Sequence, residues 1–281
     1  MQVCIIGGTG RMGRLFSRVF DCAGWDVVPA GRTTKTRKEE CIGESEIVMI
    51  SVPIRETVVV IREIAPLLGS DQLLCDLTSL KTEPVRAMLE SKAQVLGLHP
   101  MFGPTVESLK GQTIAATPAR CAGDLCNRLL RVFTDQGARI TFATPEEHDR
   151  MMAVVQVLTH AATLSLAESM RLFGTDLSRA RNFMSPVYRL ELGLIGRLLG
   201  QDPALYCDIM RMNPHGRNAI ETFRRAAERL EEAVKSEESG RFMRLFGENA
   251  EVFSEFVPEA SKETDRIIRF MVEYEDCDTW A

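Results

Sequence analysis

Three groups of residues in this 281-residue chain have types and spacings suited to chemistry. The first is His99, in Leu98-His99-Pro100-Met101-Phe102-Gly103-Pro104. An apolar run from Gln94 to Leu98 precedes it and reads as a buried strand. Ligands of α/β sheets sit beyond the carboxyl ends of the strands, so an imidazole there can act as a general base. The competing interpretation is a loop histidine that satisfies backbone groups. The second group is Gly8, Gly10 and Gly13, spaced G-x-G-x-x-G. The third is Arg189, Gly193, Gly196 and Arg197, which share one arc of a helix at about 100° per residue.

The glycines follow the apolar run Val3–Ile6 and open a helix with Leu15, Phe16, Val19 and Phe20 on one face. Strand, glycine turn and helix in that order are the context of a dinucleotide site. Gly8 permits the turn, Gly10 admits the pyrophosphate and Gly13 lets helix pack on strand. Thr9, Arg11 and Met12 complete the phosphate-facing loop, and the helix N-terminus adds free N–H groups. The second strand, Trp25 to Ala30, runs into Gly31-Arg32-Thr33-Thr34-Lys35 with no acid at its tip. An acid would read the ribose of NAD, whereas Arg32 and Thr33 suit the 2′-phosphate of NADP. NADP is therefore favoured, with NAD as the alternative and a solvated basic loop as the bland reading. Further strands end at Ser51-Val52-Pro53 and at Asp76, and helices lie between them, as in a doubly wound and mostly parallel sheet.

After Thr144 the chain becomes helical. Thr144-Pro145-Glu146-Glu147 is a capping box, and the helix it opens is expected to reach about Phe173. Gln156, His160 and Thr163 form a polar stripe along it. Ser185-Pro186 opens the arginine helix, which Gly200 stops. Two mid-helix glycines each cost about 1 kcal/mol relative to Ala, so close approach to that face is expected. Arginines at either end suit a dianionic ligand; solvated arginines beside packing glycines are the alternative. Glu191 falls in the apolar arc and is expected to need a buried partner. Long amphipathic helices from Gly216 onward suggest a subunit interface.

The formal charge of −5 and the 45% hydrophobic share give no footprint for nucleic acid. No apolar run is expected to span a membrane, and the N-terminus enters a strand directly, without a signal peptide. The 8 cysteines show no CxxC and no metal set. Cys4 and Cys75 read as buried free thiols in a reducing cytoplasm, where a Cys121–Cys126 bridge is disfavoured.

These segments together resemble the prephenate dehydrogenases, in particular the dehydrogenase part of bifunctional chorismate mutase/prephenate dehydrogenases. The likeness rests on Gly8 to Phe16, Ser51-Val-Pro-Ile54 and Asp76-Leu-x-Ser-x-Lys81. It continues through Leu96 to Pro104, Glu147-His-Asp149, Ser185 to Leu192 and Gly196-Arg-Leu198. It implies a Rossmann-type α/β domain over 1–143 and an all-α substrate-binding and dimerisation domain over 144–281. It also implies a homodimer that oxidatively decarboxylates prephenate with a nicotinamide cofactor and no metal. By motif, His99 is the base and Ser79 its orienting hydroxyl. Arg197 holds the ring carboxylate, with Arg189, His160 and Lys81 on the substrate side. No mutase helices precede Met1, so mutase activity is not expected.

Arogenate and 4-amino-4-deoxyprephenate are the rival substrates. A β-hydroxyacid dehydrogenase would want a catalytic lysine in the helical half, which has none before Lys235. A dinucleotide-sensing regulator would need neither His99 nor the arginine helix.

Overall fold

The computed structural model of the chain describes residues 1–31, 34 and 37–273. Arg32, Thr33 and Lys35 lie outside the described residues. Seven strands alternate with helices over the first half: β1 Gln2–Ile6, α1 Arg11–Cys22, β2 Asp26–Ala30, α2 Lys38–Glu44, β3 Ile47–Ile50 and α3 Ile54–Ile64. Then come β4 Leu73–Asp76, α4 Thr82–Met88, β5 Gln94–Pro100, β6 Thr113–Arg120, α5 Leu125–Asp135 and β7 Arg139–Phe142. The sheet order is β2-β1-β3-β4-β5-β6-β7, parallel except where β5 meets β6.

Alternate residues of each central strand serve opposite faces, because successive side chains point opposite ways. Val3 and Ile5 join a core with Phe16, Phe20 and Phe133 on one side. Ile6 joins Ile42, Ile61 and Met88 on the other. Burial on both faces explains the near-continuous apolar runs. On the first side Phe133 stands edge-on to Phe16 at 5.6 Å, and Trp25 stacks on Phe20 at 5.5 Å. Between β1 and β3 the strand order reverses, which opens a crevice beyond their carboxyl ends.

Beyond the sheet run α6 Pro145–Met152, a π-turn Ala153–Leu158, α7 Thr159–Leu172, α8 Leu177–Ala180, α9 Pro186–Leu199 and α10 Pro203–Met212. The long helices α11 Gly216–Lys235, α12 Ser239–Val252 and α13 Val257–Glu273 follow. The chain forms two compact units. One comprises Met1–Val157 with Ala204–Arg217, and the other comprises Leu158–Pro203 and the chain from Asn218 onward. From Ala204 onward α10 falls in the same unit as the sheet. The cause is local: His148 and Asp149 on α6 are buried, and Asn213 donates to the Asp149 carbonyl oxygen at 2.9 Å.

Three expectations change. Cys4 is bridged to Cys41 and Cys121 to Cys126, so Cys4 is not a free thiol. Cys4 on β1 and Cys41 on α2 meet in one apolar layer, 5.7 Å apart at Cα, within the span a disulfide needs. The continuous run Pro145–Leu172 is, among the described residues, long and apolar enough to cross a membrane by length and composition. Its start is nevertheless tied down by the buried His148 and Asp149. Finally, Glu191 is exposed and needs no buried partner.

Candidate functional site

His99 is the penultimate residue of β5, not a loop residue, and pairs across to Ala115 of β6. Its side chain is buried, with 2% of the residue exposed. Nδ1 lies 2.9 Å from His148 Nε2, and His148 Nδ1 lies 2.9 Å from Asp149 Oδ1. On the other side of the ring, Gln156 Nε2 lies 3.3 Å from His99 Nε2.

Asp149 anchors this chain. Its Oδ1 also accepts from the Lys81 N–H at 2.8 Å, and its Oδ2 accepts from the Thr82 N–H at 2.9 Å. Those amides open α4, where unpaired helical N–H groups favour an anion. Burial alone would raise the Asp149 carboxyl, but hydrogen bonds from His148, Thr82 and Lys81 hold it below its ordinary value. The ionised carboxylate fixes the tautomers outward. His148 must present Nδ1–H to Asp149, so its Nε2 accepts, and His99 must donate from Nδ1. The Nε2 lone pair of neutral His99 then faces the donating amide of Gln156. Burial, reinforced by His148 and Lys81, keeps the His99 imidazole well below its usual 6.5. The result is a neutral, oriented base.

Lys81, expected on the substrate side, is fully enclosed and its ammonium pairs with Asp76. Burial pushes the Asp76 carboxyl up and the Lys81 ammonium down, and each partner's charge opposes that shift. The lysine stem passes Gly97 of β5, where a Cβ would lie 3.0 Å from Lys81 Cδ and 2.2 Å from Thr117 Oγ1. Ser79 is half-buried in the β4–α4 loop, and no hydrogen bond joins it to His99 among the described residues.

The glycine turn sits at the β1/β3 crevice. Gly7 has φ +83°, and a Cβ on it would meet the Ser51 carbonyl oxygen at 2.2 Å. Thus the 8–13 loop and Ser51-Val52-Pro53, which leads into α3, are brought together. Gly13 packs on the turn so closely that a Cβ would fall 2.6 Å from Gly8 Cα. Gly10 caps α1 without a side-chain hydrogen bond, so Thr9, Arg11 and Met12 border first-turn N–H groups free for an anion. The residues fit a pyrophosphate.

In the helical unit, Arg189, Gly193 and Gly196 line a cavity of about 410 Å³ with Arg181, Met184 and Leu192. Cβ atoms at the two glycines would enter open space. Both glycines thus open onto cavity space, Gly196 also onto one lined by Ala167 and Met170 of α7. Arg197 is exposed outside the cavity lining. His160, on α7, belongs to this unit as well, and burial lowers its pKa from the usual value.

Sequence reasoning did not assign roles to His148, Asp149 or Gln156. Glu147-His148-Asp149 reads as an acidic first helical turn, and only contact with the β4–α4 loop reveals its part. Gln156 was noted as one of a polar stripe; the π-turn removes it from the regular helical phase of His160.

The family model described as prephenate dehydrogenase, nucleotide-binding domain, matches residues 30–142. The one described as prephenate dehydrogenase, dimerization domain, matches residues 144–248. A probable arogenate/prephenate dehydrogenase of Methanocaldococcus jannaschii is 33% identical over 95% of the chain, which spans 64% of that relative's length. The T-protein of Haemophilus influenzae is 32% identical, over 95% of the chain and 71% of the relative. Among solved structures, prephenate dehydrogenase from Aquifex aeolicus in complex with hydroxyphenyl propionate and NAD+ matches with TM-score 0.69 and 22% identity. That match covers 95% of this chain and 98% of the other. Synechocystis arogenate dehydrogenase also reaches 0.69, at 16% identity, covering 95% and 99%. These two structural likenesses speak to the fold alone.

Proposed function

Because the chain belongs to the prephenate dehydrogenase family, we propose that it oxidatively decarboxylates prephenate to 4-hydroxyphenylpyruvate, with His99 as the general base. The observation that carries this is the buried His99 ring, whose Nδ1 lies 2.9 Å from His148 Nε2 and whose Nε2 is on the opposite side, near Gln156. A bound nicotinamide dinucleotide supplies the hydride acceptor. His99 Nε2 takes the proton of the ring C4 hydroxyl while the ring carboxylate leaves as CO2 and the ring aromatises. Arg197 holds the ring carboxylate, supported by Arg189, and Ser79 orients the hydroxyl. His160 lies toward the substrate side chain. Lys81 is withdrawn from the substrate set because Asp76 occupies its ammonium.

The glycine turn and Ser51–Pro53 hold the cofactor. NADP is favoured, because β2 ends at Ala30 and Gly31 with no carboxylate to repel a 2′-phosphate. The enzyme works as a homodimer through its helical unit, in the cytoplasm, without nucleic-acid or membrane partners. Support for the dimer is the apolar surface of that unit: a cavity of about 500 Å³ between α11, α12 and α13 is lined by Leu230, Phe242, Phe246, Phe253 and Val257.

Arogenate is the second reading, favoured by the likeness to the probable arogenate/prephenate dehydrogenase of Methanocaldococcus jannaschii. Purified protein offered prephenate, arogenate or 4-amino-4-deoxyprephenate, each with NADP and NAD, tests all of these through reduced-nicotinamide absorbance. Turnover of prephenate with NADP is expected. A preference for NAD would keep the reaction and discard the argument from the Gly31 loop. Silence with every pair would reject the dehydrogenase.

A further inference from the structure

The buried row His99–His148–Asp149 continues past the base to a second imidazole, and its geometry allows a proton to travel along it. His99 Nδ1–H already points at His148 Nε2 across 2.9 Å, and His148 Nδ1–H points at the Asp149 carboxylate across 2.9 Å. A proton held on His99 would remain in a site 2% exposed, near the Lys81 ammonium and out of direct contact with any carboxylate. A proton held on His148 lies against Asp149, whose oxygens also accept two backbone N–H groups. The charged groups facing the two imidazoles are Asp149 and Lys81, the latter neutralised by Asp76.

We propose that His148 is the terminal acceptor of the substrate proton, relayed through His99. This rests on the reading of His99 as base. As the new N–H bond forms at His99 Nε2, the Nδ1–H bond breaks, and its electron pair stays on Nδ1. The released proton bonds to the lone pair of His148 Nε2. His99 is again neutral, now protonated at Nε2, and His148 is an imidazolium bonded to Asp149. One proton has moved from hydroxyl to His148, and no oxidant or reductant is needed. Gln156 accommodates both states. Its Nε2 donates to the resting His99, and its buried Oε1, which has no hydrogen-bond partner, can turn toward the new Nε2–H. His148 and Asp149 are thus positioning residues that hold and store the proton without touching substrate.

Two measurements test this. The chain has only 4 histidines, so nitrogen-15 NMR can assign each ring. The expected resting state has Nδ1–H on both His99 and His148. A resting His99 protonated at Nε2 would overturn the relay, whatever any variant does. The second measurement is the pH profile of His148→Gln, whose amide can hold the His99 Nδ1–H but cannot take its proton. Turnover should drop by about tenfold to a hundredfold. The acid limb of kcat/KM should also move to lower pH, because the limb then reports His99 alone instead of the coupled pair. Cofactor binding by titration should be unchanged. A drop in turnover with the limb unmoved would mean a merely structural role and overturn the proposal, as would unchanged turnover. His99→Asn, measured alongside, separates the two failures. If it keeps near-normal turnover, the base assignment falls and the relay with it. If it is inactive while His148→Gln behaves as wild type, only the relay falls. Should His148→Gln not fold, the wild-type NMR decides.

Discussion

An imidazole that must take a proton in the transition state has to be free of one beforehand. His99 meets that condition because its ordinary value of 6.5 is lowered chiefly by burial, then by His148 and Lys81. Protonation would remove the lone pair, so activity should persist through neutral pH and fall as acidification adds a proton to the coupled His99–His148 pair. A pH profile of kcat/KM that declines already near pH 7 would contradict the burial argument. His99→Asn should lower kcat by about 10²- to 10⁴-fold while leaving dinucleotide binding intact, as read by turnover and by cofactor titration. The same lowering has a folding consequence. The unfolded chain takes up a proton near 6.5 that the native His99 refuses, so acidification through that range favours unfolding.

At the level of elements, the crevice beyond β1 and β3 is assembled by close backbone contact. With a Cβ predicted only 2.6 Å from the Gly7 carbonyl oxygen and from Gly8 Cα, Gly13→Ala must separate α1 from the turn. The expected cost is about 1–3 kcal/mol of stability, and it should come with weaker dinucleotide binding. A thermal melt and a cofactor titration together check this. Tight binding in a fully stable variant would disprove the role given to Gly13. The glycine spacing announced this element in the sequence because each glycine answers one local steric demand. His99 was visible for a similar reason, at the end of an unmistakable buried strand. His148 and Asp149 were not, since their roles depend on a loop almost 70 residues earlier in the chain. Gln156 was seen only as part of a stripe, because hydrophobic periodicity cannot register the added residue of a π-turn. The strand carrying His99 also ran two residues further than expected, since Pro100 still pairs with Ile114 of β6.

For the molecule as a whole, the two units differ in how they use apolar residues. The central strands of the sheet enclose theirs, though Phe142 at its edge is 62% exposed, whereas the helical unit leaves Phe173 at 90% and Phe246 at 65% exposed. Burial of such surface is the main driving force for association, so the protein is expected to sediment as a dimer. Phe246→Asp combined with Phe253→Asp should shift it toward monomer, and a wild-type monomer at micromolar concentration would refute the dimer. The sequence disclosed this surface through its amphipathic periods but not the buried polar contacts that tie α6 to the β4–α4 loop and to Asn213.

Gly97, Lys81 and Asp76 depend on one another, the first two by close approach and the last two by charge. A side chain at position 97 would collide with Thr117 Oγ1 at 2.2 Å and press on the Lys81 stem at 3.0 Å, and removing the lysine would strand a carboxylate in the interior, a loss of about 3–5 kcal/mol. A change at one of the three is therefore expected to be tolerated best together with a compensating change at another, which double substitutions would reveal as non-additive stability.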